Sequence, residues 1–351
     1  MTTTGEARVG VDVKSVARRA VRARIAVVAS GAVAVAAVAI VLAPLVGSTH
    51  ISLSRAFDRS VPWASNVDAQ IFFVARLPRV LAAALVGSSL AASGVILQAL
   101  LRNPLATPFT LGVSSGAALG AMLALVLGGT MAALSWAAVP AASFLGALAA
   151  AGVVYLLAAG RHRGFSTGVL LLAGVTLNSF LSALILLVQY FADMTQTLQT
   201  LRWLLGDLDV AGYRPLVVAL PMLVVAYAVF LALAPSLNLL SVGSDMAAAR
   251  GVNVVRTERI AFLSASLATG AAVSIAGPIG FVGIVVPHIV RLAIGPDHRL
   301  VVPASLGFGA AFLIGCDLIA RTVLAPLELP VGIVTALIGG PFFLWLLVRQ
   351  P

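Results

Sequence analysis

The chain has 351 residues, 61% of them hydrophobic and only 10% charged, with a formal net charge of +10 and a mean hydropathy of +1.09. Soluble domains carry about 25% charged residues, so this chain lacks the charged shell that a water-soluble fold of its size requires, and lipid must be most of its solvent. One cysteine, Cys316, excludes an internal disulfide, and four scattered histidines give no metal-ligand spacing.

Residues 1–24 are polar and basic, with Arg8, Lys14, Arg18, Arg19, Arg22 and Arg24. Lys14 is the only lysine of the chain and follows no glycine-rich turn, so the P-loop chemistry of a lysine reaching nucleotide phosphates is missing. If ATP drives this protein, another subunit binds it. Residues 25–46 then form an apolar run longer than the roughly 7–15 residues of a signal-peptide core, which predicts a first membrane span. A span needs about 20 apolar residues. That rule predicts an all-α polytopic membrane protein with about ten spans, near 25–46, 78–101, 108–128, 134–159, 167–191, 215–234, 259–277, 282–295, 301–324 and 332–348. One transmembrane domain then covers 25–348, between a basic cytoplasmic segment (1–24) and a short cytoplasmic end (349–351).

With residue 1 inside, the inner segments hold 15 of the 22 basic residues and the outer segments 7. The positive-inside rule therefore predicts both termini in the cytoplasm. The basic residues are spread over many short loops, which argues against nucleic-acid binding.

The second span begins RLPR, with Arg76 and Arg79 at its outer end. Arginines on the outer side run against the charge rule and need a reason. They either anchor in lipid headgroups or hold the carboxylates of an acidic partner through forked guanidinium groups. Arg321 falls near the outer end of the ninth span, with Asp317 four residues earlier on the same helix face. The second and third spans are joined by Asn103-Pro104-Leu105-Ala106-Thr107-Pro108, whose prolines forbid a continuous helix. Next comes Gly112-Val-Ser-Ser-Gly116. It matches a nucleophile-elbow pattern, but without the strand, histidine and acid that such chemistry needs. Gly112, Gly116 and Gly120 are expected on one face as a close-packing stripe. No catalytic set is expected anywhere in the chain.

The fifth span carries Asn178, Ser179, Ser182 and Gln189. Polar groups in lipid must face a bundle or a cavity, so they either line a path or bond between helices. The outer loop 192–214 reads as a short surface helix with an interfacial Trp203. In the inner loop 236–258, Ser244 and Asp245 are expected to cap a short helix ended by Gly251. It either lies on lipid or fits a partner's groove. Gly277-Pro278-Ile279-Gly280 is either a tight outer turn or a break at membrane depth, and His288 is read as structural. The second and seventh spans begin with similar short stretches at Arg79 and Arg259, a weak inverted echo.

These strings together resemble the FecCD-type permeases of bacterial importers for iron chelates and vitamin B12: RLPR, RNPLA-x-P, GVSSGAALGA, GPIGFVG-x-x-VPHIVR and ELPVGIVTALIGGPFF. The resemblance implies a type II ABC importer permease in the cytoplasmic membrane, with no enzymatic site of its own. It implies Arg76, Arg79 and Arg321 as docking residues for an extracellular substrate-binding protein. Asn103 and Leu105, with Ser166 and Thr167, become a cytoplasmic gate. Ser244, Asp245, Met246, Ala247 and Gly251 become the coupling helix for an ATPase, although Arg250 stands where the family usually has leucine. Asn178, Ser179, Ser182 and Gln189 become candidates for the path between two permease copies, identical or homologous. Two ATPase subunits would carry the ATP and magnesium, and this chain would hold no cofactor or metal. The favoured cargo is an iron(III) siderophore, with vitamin B12 or haem as alternatives. An ion-coupled secondary transporter is the competing class. It normally needs a midplane ionisable residue, and only Asp317 comes near to being one.

Overall fold

The computed structural model describes residues 4–47, 49–127, 135–159, 167–210 and 212–349. Among them there is no β-strand. Ten long helices carry the architecture: α1 (Thr4–Leu42), α4 (Leu77–Leu101), α5 (Val113–Leu127), α6 (Ser135–Ala159), α7 (Thr167–Tyr190), α9 (Arg214–Leu240), α11 (Val254–Ala276), α12 (Val282–Ile294), α13 (His298–Thr322) and α14 (Val331–Arg349). They match the ten predicted spans. Seven of the helical stretches are long and apolar enough to cross a bilayer, and α5, α12 and α14 are shorter apolar helices. The short elements α2 (Leu53–Ala56), α3 (Val67–Gln70), α8 (Met194–Leu204) and α10 (Ser244–Ala249) lie in the connections.

Helix ends sort onto two faces. Arg24 of α1 donates to the Ile294 carbonyl that ends α12, and Asn238 near the end of α9 bonds Asp297 at the start of α13. The opposite face gathers the end of α1, the start of α4 and the end of α13, where Arg76 and Arg321 donate to Pro44 and Ala43. Inner and outer here carry the sense given by the arginine count. The basic N-terminal segment is continuous with the first span, since α1 runs unbroken from Thr4 for 39 residues. At about 1.5 Å per residue this is near 58 Å, well beyond a hydrocarbon core of about 30 Å.

The second span also begins further out than its proline implies. Helix continues from Val67 through a wide π-type stretch, Ile71–Arg76, into α4. The Phe73 carbonyl there accepts from the Tyr213 hydroxyl at 2.6 Å, and Phe57, Phe72 and Phe73 pack edge to face with centroids 4.9–5.5 Å apart.

In lipid, helices gain little by hiding apolar surface from one another. Close contact and hydrogen bonds hold them instead. α4 is the hub. Its Gly87 meets Gly309 of α13, and its Gly94 meets Gly283 of α12, so closely that a Cβ would lie 2.2 and 2.1 Å from the facing carbonyl oxygens. Ser88 and Ser89 share the Tyr227 hydroxyl of α9 at 2.7 and 2.6 Å, and Ser93 donates to the Ala265 carbonyl of α11.

The expected glycine stripe on α5 is two residues, not three. Gly116 and Gly120 pack on Gly146 and Ala142 of α6, whereas Gly112 sits at φ +80°. It ends a 3-10 turn, Pro108–Leu111, and rests against Leu177. Its role is conformational, because a left-handed turn is strained for any residue with a Cβ.

Gly146→Val would drive two methyl groups into the Gly116 backbone and is expected to lower stability by at least about 2 kcal/mol. Gly152→Ala, on the same helix with open space around its Cα, should leave stability unchanged or slightly raised. Thermal unfolding of the two purified variants in detergent separates the outcomes. Equal behaviour would mean that the α5–α6 crossing is not tight.

Candidate functional site: an arginine-lined outer mouth, a polar break and an inner helix

The outer mouth is built where three helices end. Asp317 of α13 has no solvent exposure. Its Oδ1 accepts from Arg79 Nε at 2.8 Å, and its Oδ2 lies 3.6 Å from Arg321 Nε. Sequence spacing pointed to the Asp317–Arg321 pair, but the shorter contact goes across to α4. Arg79 also holds Glu328, whose side chain is 49% exposed against 13% for Arg79. Arg76 donates to the Pro44 and Thr49 carbonyls, and Arg321 to the Ala43 carbonyl at 2.7 Å.

Ala43 and Pro44 lie in the 3-10 turn that follows α1, Ala43–Leu45, and Thr49 lies in the chain beyond it. The outer arginines are thus mainly internal: Arg76 and Arg321 are 6% and 4% exposed. A reading of them as headgroup anchors does not fit that burial. The three surround a cavity of about 380 Å³ with Glu328, Asp209 and Thr49 on its wall.

The stretch 277–281 is a break at depth and not a tight outer turn. Gly277 and Phe281 both take positive φ, +67° and +65°. The chain descends, and α12 starts beside Leu90 and Gly94, about 20 Å below the outer end of α4. With 13 residues, α12 is about 20 Å long and crosses only part of the membrane. Backbone outside a helix survives there because protein covers it. Trp203 of α8 and Gly206 close over Gly277, Pro278 and Ile279, and the Asp207 amide donates to the Ala276 carbonyl at 2.9 Å. Trp203 therefore acts as part of a cover over the break. At the other end of α12, Arg291 donates to Gln98, and Gln98 to the Gly283 carbonyl at 3.1 Å. His288 lies against Phe342 with centroids 5.8 Å apart. Neither Gln98 nor Glu328 was singled out from the sequence, since a lone glutamine or loop acid carries no spacing signal.

At the inner end of α4, Arg102 turns the chain at φ +46°. Asn103 Oδ1 then accepts from the Leu105 amide at 2.9 Å, which leaves Leu105 exposed on the inner face. Ser166 lies outside the described residues, and Thr167 is described only as the first residue of α7. On α7, Asn178 bonds the Phe109 carbonyl at 2.8 Å and Ser115 at 2.7 Å, fixing α7 to the turn before α5. Ser179 donates back to the Val175 carbonyl, and Ser182 lies exposed. Of the four polar residues of α7, Asn178 is engaged within the chain, Ser179 and Ser182 lie exposed, and Gln189 is half-buried. Around them Leu172, Val175, Phe180, Leu186 and Leu187 are all more than half exposed, so this face is uncovered in a single chain.

The inner loop does form a short helix, α10, but not with the expected cap. Gly243 precedes it at φ +144°, and neither Ser244 nor Asp245 supplies a capping bond. Its end is a Schellman turn: Val252 N donates to Ala247 O at 3.0 Å and Gly251 N to Ala248 O at 2.9 Å, with Gly251 at φ +82°. Ala247 is fully buried, while Asp245, Met246 and Arg250 face outward. Beside it, Asp297 caps α13, pairs with Arg299 and accepts from Asn238 at 2.6 Å. The arginine beside it and these hydrogen bonds hold the Asp297 carboxyl far below the usual carboxylate range.

Residues 19–349 match the model of the FecCD transport family. The chain is 39% identical over 323 residues to an uncharacterised ABC transporter permease of Bacillus subtilis, covering 90% of this chain and 91% of that one. It is 46% identical over 274 residues to a cobalamin import system permease of Halobacterium salinarum (78% and 72% covered). To a hemin transport system permease of Yersinia pestis it is 39% identical over 307 residues (87% and 91%). Its structure superposes with a TM-score of 0.77 and 30% identity on a solved metal-chelate type ABC transporter in an inward-facing conformation, covering 93% of this chain and all of that one.

Asp317→Asn leaves two arginines around a neutral side chain, and losing one partner of a buried ion pair typically costs about 3–5 kcal/mol. Glu328→Gln, at the exposed side of the same arginine, should cost less than about 1 kcal/mol. A similar loss of thermal stability in both variants would contradict this division.

Proposed function

This chain belongs to the FecCD transport family, and from that premise we propose that it forms one half of the path of an ATP-driven importer for a metal chelate, favouring an iron(III) siderophore. Membership makes it a membrane-embedded permease subunit of an ABC importer, with ATP hydrolysed on a separate subunit. The finer reading has the N and C termini in the cytoplasm, the arginine mouth outside, and α10 against an ATPase that binds ATP and magnesium. Two permease copies would put their α7 faces toward the path. A substrate-binding protein would dock at Arg76, Arg79 and Arg321.

The observation that carries this reading is the pairing of opposite surfaces on one rigid bundle. One end presents a guanidinium-lined cavity suited to carboxylates. The other presents a small, exposed helix whose only buried residue is Ala247. Docking energy at one end and ATP-driven motion at the other are what an importer must join. The names of relatives support the cargo class: they move cobalamin, hemin and Fe(3+)-citrate. Vitamin B12 and haem therefore stay as alternatives. An ion-coupled transporter is disfavoured, because the acid nearest the membrane interior, Asp317, is locked between two arginines and is poorly placed to release and rebind a proton or sodium ion.

The test is reconstitution in liposomes with the ATPase and binding protein encoded beside it, using ferric siderophore and cobalamin as separate cargoes. ATP-dependent uptake that persists when the ion gradients are collapsed is expected. Uptake that follows a gradient without ATP would overturn the proposal. In the same system, Gly251→Ala, which forces a Cβ into a left-handed turn at roughly 1–2 kcal/mol, should lower uptake severalfold while binding-protein affinity stays unchanged.

A further inference from the structure

Arg79 holds two carboxylates of very different character. Asp317 is completely enclosed, whereas Glu328 is half exposed on the outward side of the same guanidinium. We propose that Glu328 is a resident stand-in for a partner's carboxylate: it occupies Arg79 in the free permease and yields that position when an acidic protein docks. This rests on the docking reading above and names the group that docking must displace.

Three observations carry it. The exchange replaces one carboxylate by another while Asp317 stays in place, so the charge balance around Arg79 is kept and no buried ion pair is broken. The cavity beside Arg79 has room for the incoming group, about 380 Å³ with Arg76 and Arg321 on its wall. Glu328 also rides on the loop 323–330 between α13 and α14, and that loop turns Val323, Leu324 and Leu327 to the outside, at 62%, 52% and 72% exposed. Its far end is tied down by Leu329 N donating to the Ala320 carbonyl at 3.0 Å.

The loop thus sets an apolar patch next to a guanidinium cluster. The partner that fits has a glutamate or aspartate beside an apolar rim. Covering the patch moves the loop, and the loop carries Glu328. In the free state the same contact shields Arg79 from stray anions, so specificity comes from needing both parts of the surface.

The experiment measures Kd of the binding protein encoded with the permease, on the intact permease–ATPase complex in nanodiscs, by biolayer interferometry. Glu328→Gln keeps the shape and removes the competing charge, so affinity should rise roughly fivefold, mainly through faster association at low salt. Arg79→Ala is combined with Asp317→Asn so that no buried carboxylate is orphaned; at a temperature where circular dichroism and gel filtration show this double variant folded, it should weaken binding at least about tenfold. If Glu328→Gln leaves Kd unchanged or weakens it while the Arg79 double variant weakens it, Glu328 is only a staple and the stand-in proposal is overturned with docking intact. If the Arg79 double variant binds as well as the native chain, the docking reading itself fails, and this inference with it.

Discussion

The constraint on which everything else depends is that α4 can be approached closely from several sides. In lipid, a helix surrounded by other helices gains no more from apolar burial than one surrounded by acyl chains, so short contacts and satisfied polar groups must do the holding. Gly87 and Gly94 provide those contacts toward α13 and α12, and Ser88, Ser89 and Ser93 provide the bonds toward α9 and α11. The result is a 25-residue rod, about 37 Å long, that starts next to the arginine mouth and ends at the Arg102–Asn103 turn. The arginine mouth and the polar break are therefore the two ends of one close-packed helix.

On the orientation that the arginine count predicts, the mouth shows why arginines stand where the charge rule disfavours them. Helix α1 stops at Leu42, and the 3-10 turn after it, Ala43–Leu45, presents carbonyls to the mouth. Arg76 and Arg321 donate to two of them. Two buried guanidinium groups without acids would be prohibitive. Asp317, between Arg79 and Arg321, offsets that cost, and Glu328 completes the set from outside. Replacing Asp317 by an apolar residue would not be a neutral repacking, since each arginine already has an irreplaceable carbonyl or carboxylate. The cluster is thus a structural joint first, and its capacity to receive a carboxylate follows from its one exposed corner.

Much of the fold was legible in the sequence because length and hydropathy are what a bilayer selects on. All ten helices appear where apolar runs predicted them, and the two glycines that pack α5 on α6 were visible as a four-residue spacing. What spacing could not reveal was conformation. Gly112 continues the same spacing, yet it serves a left-handed turn because a 3-10 turn ends there. Gly243, not Ser244 or Asp245, opens α10, since the chain leaves α9 at a φ only glycine accepts easily. The depth of the 277–281 break was undecidable from composition, because an outer turn and a covered descent use the same glycines and proline. Only the facing contacts of Gly283 with Leu90 and Gly94 separate them. Of the site residues, the arginines were found through their unexpected side of the membrane, whereas Glu328 and Gln98 act through partners more than 180 residues away in sequence.

The two ends differ in how they can respond to a partner, and this sets the direction of any signal. Arg79 and Arg321 are ion-paired and Arg76 is held by two carbonyls, so a protein docking there as proposed would meet a surface already organised and lose little freedom in ordering it. The inner helix α10 is six residues long, anchored by one alanine and a glycine turn. If it meets an ATPase as proposed, Ala247 is the one core contact of its own that a movement would disturb. In the proposed importer, motion entering there would pass to the end of α9, where Asn238 accepts from the His298 amide at 2.8 Å and donates to Asp297, and so to the start of α13. α13 then runs the full thickness of the bundle to Asp317 and Arg321. A short inner element joined by a hydrogen-bonded clasp to a helix that carries the outer ion pairs is the arrangement by which, in the proposed importer, force applied inside would move the mouth.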